Sequence, residues 1–226
     1  DKVYLNLEKK QKFKESAKLG GYDIYSSSKA ACEIIIESYI KSFFQGTNCN
    51  LATVRSGNCI GGGDWTKDRI IKDCVESFLK NKNLILRSPN ATRPWQHVLE
   101  PLSGYLKLSE KLYYDKSDKY SGAWNFGPNV KNNLKVKQIA SIGKKIFHSK
   151  SKIVIKDKKY YESKNLSLDS SKSFKLLKWK TILSDAEALK MTFDWFLTYY
   201  KKRKKINLVN FSLRQIELFK KKVNLK

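Results

Sequence analysis

The stretch IYSSSKAACEIIIESYIKSFF, at positions 24–44, predicts the helix around which the fold is arranged. Its apolar residues recur every three or four positions, with serine and lysine on another face, which indicates an amphipathic helix. The run LATVRSGN at 51–58 follows and is typical of a short β-strand, and it leads into the glycine-rich loop GGGDW at 61–65.

The alternation of helix and strand continues along the chain. Further helices are predicted at 67–80, 100–114, 135–148, 184–202 and 212–223, and further strands at 84–87, 95–98, 122–128 and 152–156. We find no internal repeat and no low-complexity linker. This alternation predicts an α/β architecture.

The composition of the 226 residues predicts a globular protein. Hydrophobic residues make up 41% and aromatic residues 12%, which is enough for a core. No apolar run approaches the roughly 20 residues that cross a bilayer, so we expect no membrane partner. The N-terminus DKVYLNLEKK has neither a signal-peptide pattern nor an initiator Met, so we expect an incomplete chain. Four cysteines without metal-ligand spacing predict reduced thiols and a cytoplasmic location.

The net charge of +25 raises the possibility of a nucleic-acid partner, because clustered Lys and Arg neutralise phosphates. However, only six of the 46 basic residues are Arg, the residue that reads phosphates and base edges with a bidentate fork. We therefore expect no nucleic-acid binding, and we interpret the lysines as solvated surface residues. A basic, non-catalytic protein that binds nucleic acid or anionic surfaces remains the alternative from a different functional class.

The segment YSSSK places Tyr25 and Lys29 on one face of the first helix. A lysine ammonium beside a phenol favours the phenolate, so this pair predicts a general base able to accept a proton from an alcohol. The same spacing also occurs by chance on solvated helix faces, so by itself it is a weak signal.

Longer blocks support the catalytic interpretation. They are DKVYLN at 1–6, GGYDIYSSSKAACE at 20–33, RSGNCIGGGDW at 55–65, NATRPWQHVLEPLSGYL at 90–106, GAWNFGP at 122–128 and LDSSKSFKLLKWK at 168–180. Together they resemble the extended short-chain dehydrogenase/reductase family of nucleotide-sugar enzymes over nearly the whole chain. The resemblance implies a partial Rossmann-type, doubly wound parallel sheet at 1–60 and a remainder at 61–226 with a smaller C-terminal substrate-binding lobe.

The resemblance also implies a reaction, the 4,6-dehydration of a nucleotide sugar through an internal redox cycle with NAD. Tyr25 would take the proton of the sugar 4-hydroxyl, and Lys29 would assist it and contact the cofactor ribose. Asp1 would protonate the departing 6-hydroxyl, and Lys2, or a water that it positions, would act at C5. Lys2 favours CDP-glucose as the substrate, because family members that act on dTDP-glucose carry Asp-Glu where this chain has Asp-Lys.

Binding residues are implied in the same way. Arg93 matches an arginine that contacts the substrate diphosphate, Arg69 is a second substrate-binding candidate, and Asn58 would lie beside both cofactor and sugar nucleotide. We interpret His97 as a packing residue and expect no metal site. The family also implies a homo-oligomer, paired through helix 24–44.

Two departures from the family pattern affect activity. The chain contains no Gly-x-x-Gly-x-x-Gly turn, the feature that holds the NAD phosphates, so we expect a fragment that is inactive alone. Ile24 stands where the family usually has Pro, and this change would soften the start of the helix. The alternatives left open are a dTDP-sugar or UDP-sugar dehydratase, a UDP-sugar epimerase, and a non-catalytic remnant that still binds the substrate.

Overall fold

A computed structural model describes residues 1–9, 11–115, 117–128, 134–156, 166–202 and 205–224. The helices are α1 (Ile24–Tyr39), α2 (Ile70–Leu79), α3 (Leu99–Tyr114), α4 (Val136–Ile146), α5 (Ser171–Leu177), α6 (Asp185–Lys202) and α7 (Leu208–Asn224). The strands are β1 (Ala52–Ser56), β2 (Cys59–Ile60), β3 (Leu84–Leu86), β4 (Gln96–His97), β5 (Gly122–Phe126) and β6 (Ile153–Ile155).

The six strands form three parallel pairs in the described part of the chain: β1 with β5, β2 with β4, and β3 with β6. Each pair joins strands that are separated in the chain by one or more helices, as parallel pairing requires. The β1–β5 pair is the longest, running in register from Ala52 opposite Gly122 to Ser56 opposite Phe126. These pairings confirm the predicted α/β class with parallel strands.

The predicted helix at 24–44 is present but changes character near its C-terminus. It is α-helical through Tyr39 and continues as one π-helical turn over Ile40–Phe44, which ends where the Gln45 N–H donates to the Ile40 carbonyl five residues back. The helix begins at Ile24 because the side chain of Asp23 caps it. Ile24 is therefore compatible with the helix start, and no softening is needed to accommodate it.

Most other predicted elements are confirmed with shifted ends. Helix α2 begins at Ile70 rather than 67, because Asp68 has a left-handed backbone (φ 61°) and Arg69 is extended. Helix α7 begins four residues before its predicted start. The predicted cap of α6 is confirmed: the Glu187 N–H donates to Ser184 Oγ, and the Ser184 N–H donates to the Glu187 carboxylate.

Three apolar clusters form the core. The largest joins α2, α4 and α6 to β3 and contains the fully buried Phe193 and Phe196. The second surrounds Trp124 on β5 and Trp179 after α5, and the third packs Tyr4 and other residues of the N-terminal segment against Leu166 and Leu168. The second cluster contains Trp124 and Phe126 and so packs against β5, with Ala52 of β1 beside it. The C-terminal ends of such parallel strands are where ligands usually bind in α/β proteins.

None of the described helices is both long enough and apolar enough to cross a bilayer. The four cysteines are free thiols, with Cys74 buried and the other three exposed.

Candidate active site

The start of α1 is organised by Asp23. The Ser26 N–H donates to Asp23 Oδ1 (2.9 Å) and the Ser26 hydroxyl to Oδ2 (2.7 Å). These hydrogen bonds stabilise the charged carboxylate and lower the pKa of Asp23. A negative charge at this position also interacts favourably with the N-terminal end of the helix dipole. The cap therefore defines the orientation of the first two turns, which carry Tyr25 and Lys29.

Tyr25 and Lys29 lie side by side on the exposed face of α1. The Lys29 ammonium is 5.7 Å from the centre of the Tyr25 ring, which is within the range of a cation–π contact. Tyr25 is 56% exposed, so its phenol is accessible to a ligand. The structure thus brings together the two residues that the YSSSK segment predicts as a pair.

Asp1 and Lys2 lie beside the beginning of α1. Together with Asp23 and Ser26 they line a small cavity of about 10 Å³. The Asp1 backbone nitrogen donates to the carbonyl of Ser56 at the end of β1 (3.0 Å). The four residues predicted to be catalytic are therefore carried by two segments that meet at the start of α1.

Asp1 has a polar atom oriented towards buried space. Its Oδ2 is buried and has no hydrogen-bond partner within the described residues. A buried carboxylate oxygen without a donor is unfavourable, and it is the kind of atom that a ligand hydroxyl or a water satisfies. The adjoining cavity of about 10 Å³ has room for one water, and the contact between Asp1 and a substrate hydroxyl stays a prediction.

A second and larger cavity, of about 180 Å³, contains all three predicted substrate-binding residues. Asn58, Arg69 and Arg93 line it, together with Arg87. Arg93 is 5% exposed, and its Nη1 donates to the carbonyl of Thr92 (2.8 Å). We name this space the arginine cavity, defined by Asn58, Arg69, Arg87 and Arg93.

Carboxylates also line the arginine cavity. Burial disfavours the charged form of Asp64, but hydrogen bonds from Thr66 outweigh this effect and lower the Asp64 pKa. Burial raises the pKa of Asp73. The cavity therefore combines cations with carboxylates and can take an anion where an arginine fork faces it.

Backbone contacts explain why the cavity forms at this position. Asn58 follows β1, and its carbonyl accepts the Gln96 N–H (3.0 Å), so β4 lies beside the loop. A Cβ at Gly57 would lie 2.3 Å from the Pro94 carbonyl oxygen, so only glycine allows this approach. Close approach of the two segments places Asn58 and Arg93 on one cavity.

The arginine cavity and the Tyr25 region are linked through the end of β1. Ser56 accepts the Asp1 N–H through its carbonyl, and its hydroxyl is 3.5 Å from the Cys59 sulfur. Cys59 in turn lines the arginine cavity. Only Gly57 separates Ser56 from Asn58 in the chain, so both sites are built on the same turn.

His97 is a buried neutral residue in β4. It is 3% exposed, and burial lowers its pKa to about 4. Its Nδ1 accepts the Leu99 N–H (3.4 Å). This position confirms the prediction of a packing residue. Within the described residues, no three His, Cys, Asp or Glu side chains are grouped so that they could hold a metal ion.

The sequence analysis did not single out two arginines that lie at or near the candidate site. Arg87 follows β3, lines the arginine cavity and forms an ion pair with Asp68 (2.6 Å). Arg55 is buried in β1 and pairs with Glu33 of α1 (2.8 Å). The available signal was their rarity, since only six arginines occur among 46 basic residues, and their place within predicted strands.

Known proteins resemble the chain in sequence and in fold. No protein-family model matches the chain. CDP-glucose 4,6-dehydratase of Salmonella typhimurium is 38% identical over 201 residues, which cover 86% of this chain and 56% of that protein. The chain thus spans little more than half the length of this curated relative.

Solved structures show the same fold at lower identity. A dTDP-glucose 4,6-dehydratase from Bacillus anthracis in complex with NAD superimposes with a TM-score of 0.73 at 20% identity, covering 88% of this chain and 60% of that one. A UDP-glucose 4-epimerase from Thermotoga maritima with UDP-glucose gives 0.73 at 18%, covering 85% and 59%. The chain therefore shares the Rossmann-type fold of these dehydratase and epimerase structures and is a sequence relative of CDP-glucose 4,6-dehydratase.

Proposed function

We propose that this chain forms the substrate-binding and proton-transfer part of an NAD-dependent nucleotide-sugar 4,6-dehydratase that acts on CDP-glucose. The observation that carries the proposal is the arginine cavity, where Asn58, Arg69 and Arg93 line one space although they are far apart in the sequence. The 38% identity to a CDP-glucose 4,6-dehydratase supports the choice of CDP-glucose over other nucleotide sugars.

The arginine cavity suits the diphosphate of the substrate. Its volume of about 180 Å³ is below the roughly 300 Å³ at the lower end of whole-ligand pockets. Two phosphates fit such a space, whereas the base and the sugar extend beyond it. Arg93 would hold the phosphates with its planar fork, Arg69 would add a second cation, and Asn58 would contact the sugar side.

Proton transfer would take place at the start of α1. Tyr25 accepts the proton of the sugar 4-hydroxyl, and the Lys29 ammonium stabilises the phenolate that accepts it. Asp1 donates a proton to the departing 6-hydroxyl, and Lys2, or a water held by it, acts at C5. The unpartnered Oδ2 of Asp1 supports this assignment, because a substrate hydroxyl would satisfy it.

NAD fits these residues in part. When bound, it supplies the redox equivalents that are taken up and returned within one turnover. Tyr25, Lys29 and Asn58 would contact its nicotinamide side, and the exposure of Tyr25 leaves room for this. The 226 residues contain no Gly-x-x-Gly-x-x-Gly turn for the phosphates, so tight binding would need that turn from further chain.

The organisation of the whole protein is part of the proposal. Residues 1–60 would complete the Rossmann domain, and residues 61–226 would include the substrate-binding lobe. Apolar residues of α1 are exposed, among them Ile35 and Tyr39, which supports a homo-oligomer paired through this helix. We propose a cytoplasmic location, in agreement with the free thiols.

Ligand binding tests the substrate assignment without requiring turnover. Calorimetry with CDP-glucose, dTDP-glucose and UDP-glucose should show the tightest binding for CDP-glucose. Arg93→Met should weaken it at least about tenfold, the loss typical of a charge-assisted hydrogen bond. Arg214→Met on the exposed face of α7 is the matched control and should leave binding unchanged. Equal binding of all three sugars, or equal effects of the two variants, would contradict the proposal.

Turnover tests the reaction. The chain would be assayed alone, and joined to the part of the Salmonella relative outside the match, with NAD and CDP-glucose. Mass spectrometry should detect the loss of one water from the sugar nucleotide in the joined protein. An epimerase would give a product of unchanged mass, which distinguishes the nearest alternative.

A further inference from the structure

We propose that Arg55 is a positioning residue that holds the helix carrying Tyr25 and Lys29 against the segment carrying Asp1. This inference rests on the proposed function, in which these three residues act on one sugar ring. Arg55 does not line the arginine cavity and is not a candidate for contact with the substrate.

The guanidinium of Arg55 joins three separate parts of the chain. From β1, its Nη2 donates to the Glu33 carboxylate of α1 (2.8 Å). Its Nη1 donates to the Tyr4 hydroxyl (2.9 Å) and to the Glu15 carbonyl (3.1 Å). The side chains of Arg55 and Glu33 are 5% and 11% exposed, so water competes little with this pair.

Helix α1 has few other attachments to the sheet. Its only buried residues are Ser26 and Ala30, both in its first half. Beyond them a groove of about 670 Å³ is lined by Ile36 of α1, by Ile40 of the following π-helical turn and by Thr53 of β1. Apolar packing therefore does not fix the second half of α1, and the polar contacts of Glu33 have a larger role.

Glu33 is held at two points. In addition to Arg55, the Thr53 hydroxyl donates to the same Oε2 atom (2.8 Å). Both donors come from β1 and lie on the face of the strand that is turned towards the helix. The carboxylate of Glu33 therefore fixes the helix one turn beyond Lys29.

The other end of the network reaches the N-terminal segment. The Tyr4 hydroxyl donates to Asn125 Oδ1 on β5 (2.7 Å), and Tyr4 stacks on Phe13 at 5.1 Å. Tyr4 lies three residues after Asp1, and Asp1 bonds to Ser56, the neighbour of Arg55 in β1. A shift of Arg55 would thus move both segments that carry the candidate catalytic groups.

Arginine is suited to this role and lysine is not. The planar fork of Arg55 serves Glu33 and Tyr4 at once, whereas a lysine has one ammonium and cannot hold both in fixed directions. Burial by itself would lower the pKa of Arg55, but its hydrogen bonds to Glu33 and Tyr4 outweigh burial and raise it. Arg55 therefore stays charged near neutral pH, as arginines in proteins do.

Amide hydrogen exchange on the 226-residue chain tests whether Arg55 holds α1 in place, without any assay of activity. In Arg55→Lys and in Glu33→Gln, exchange of α1 should become about tenfold faster or more, while β1 and β5 keep their protection. Glu37→Gln is the matched control, because it breaks the exposed Lys41–Glu37 pair of the same helix and should leave exchange unchanged. The double variant should resemble the single ones, because both remove the same contact.

Unchanged exchange in α1 would overturn the proposal. Equal acceleration in β1 and β5 would also overturn it, because Arg55 would then support overall stability and not the position of one helix. Both outcomes test the positioning role of Arg55 whether or not the protein is a dehydratase.

Kinetics test the link to catalysis. In the joined protein of the turnover assay, Arg55→Lys should lower kcat at least about tenfold with KM for CDP-glucose changed less than about twofold, because a misplaced proton acceptor slows chemistry without weakening diphosphate binding. A raised KM with unchanged kcat would overturn the link. If the parent protein shows no turnover at all, the proposed function fails. The exchange result still shows whether Arg55 holds α1 in place.

Discussion

Arg87 and Asp68 form an ion pair at the arginine cavity, with 2.6 Å between Nη2 of the arginine and Oδ1 of the aspartate. Both side chains are largely exposed, so the pair contributes little to stability. Its position matters more, because both residues line the cavity. Asp68 therefore competes with any bound anion for the guanidinium of Arg87.

Asp68→Asn should tighten binding of CDP-glucose. The substitution removes the competing carboxylate, and Asn tolerates the left-handed backbone at this position (φ 61°). An exposed pair is worth about 0.2–1 kcal/mol, so the gain should be up to about fivefold in Kd by calorimetry. Glu76→Gln, which removes the exposed partner of Lys72, is the charge-matched control. Weaker binding by Asp68→Asn would show that Asp68 contributes to binding instead.

Tyr25→Phe should strongly slow turnover and leave substrate binding intact. The phenol is exposed and makes no contribution to the core, so the variant should fold normally. General-base catalysis contributes about 10²- to 10⁴-fold, and the loss of turnover should lie in this range, with the Kd for CDP-glucose changed less than about twofold. Tyr22→Phe, at an exposed tyrosine three residues away, serves as the control. Retained activity in Tyr25→Phe would exclude Tyr25 as the base.

The buried His97 should make the fold less stable in mild acid. Its folded pKa of about 4 lies below its usual value of 6.5, so the unfolded chain binds more protons between these values. The free energy of unfolding should therefore fall as the pH drops from about 6.5 to 4, by up to about 3 kcal/mol. Denaturant unfolding at several pH values measures this effect.

The contribution of His97 is isolated with variants. His97→Gln should remove most of this pH dependence, even if it also lowers stability at pH 7. His148→Asn changes the other, exposed histidine and should keep the dependence of the parent chain. Identical slopes in the parent and in His97→Gln would contradict the assignment.

Gly57→Ala should disturb both stability and binding. The new Cβ would lie 2.3 Å from the Pro94 carbonyl oxygen, so the segment that contains Arg93 and Pro94 would have to move. Overpacking of this kind costs about 1–3 kcal/mol, and displacement of Arg93 should weaken CDP-glucose binding. Gly46→Ala, at a site with a left-handed backbone and no neighbour within 4 Å of the added Cβ, should lower stability by strain alone. Binding losses of equal size in both variants would argue against a local role of Gly57.

Much of the secondary structure was predictable from local patterns. The 3.6-residue period of positions 24–44 and the cap at Ser184 depend on interactions within a few residues, and both predictions are confirmed. The π-helical turn at Ile40–Phe44 and the late start of α2 were not predictable, because both depend on how the chain leaves a helix or enters one.

The sequence by itself determined the helix–strand alternation, the Tyr25–Lys29 pair and the resemblance that named Asn58, Arg69 and Arg93 as binding candidates. These depend on spacing and residue type, which are local properties. Only the tertiary structure decided that Arg87 joins that cavity and that Arg55 ties α1 to β1 and to Tyr4. Such contacts are set by parallel strand pairing and chain crossings over tens of residues, and no short sequence pattern encodes them.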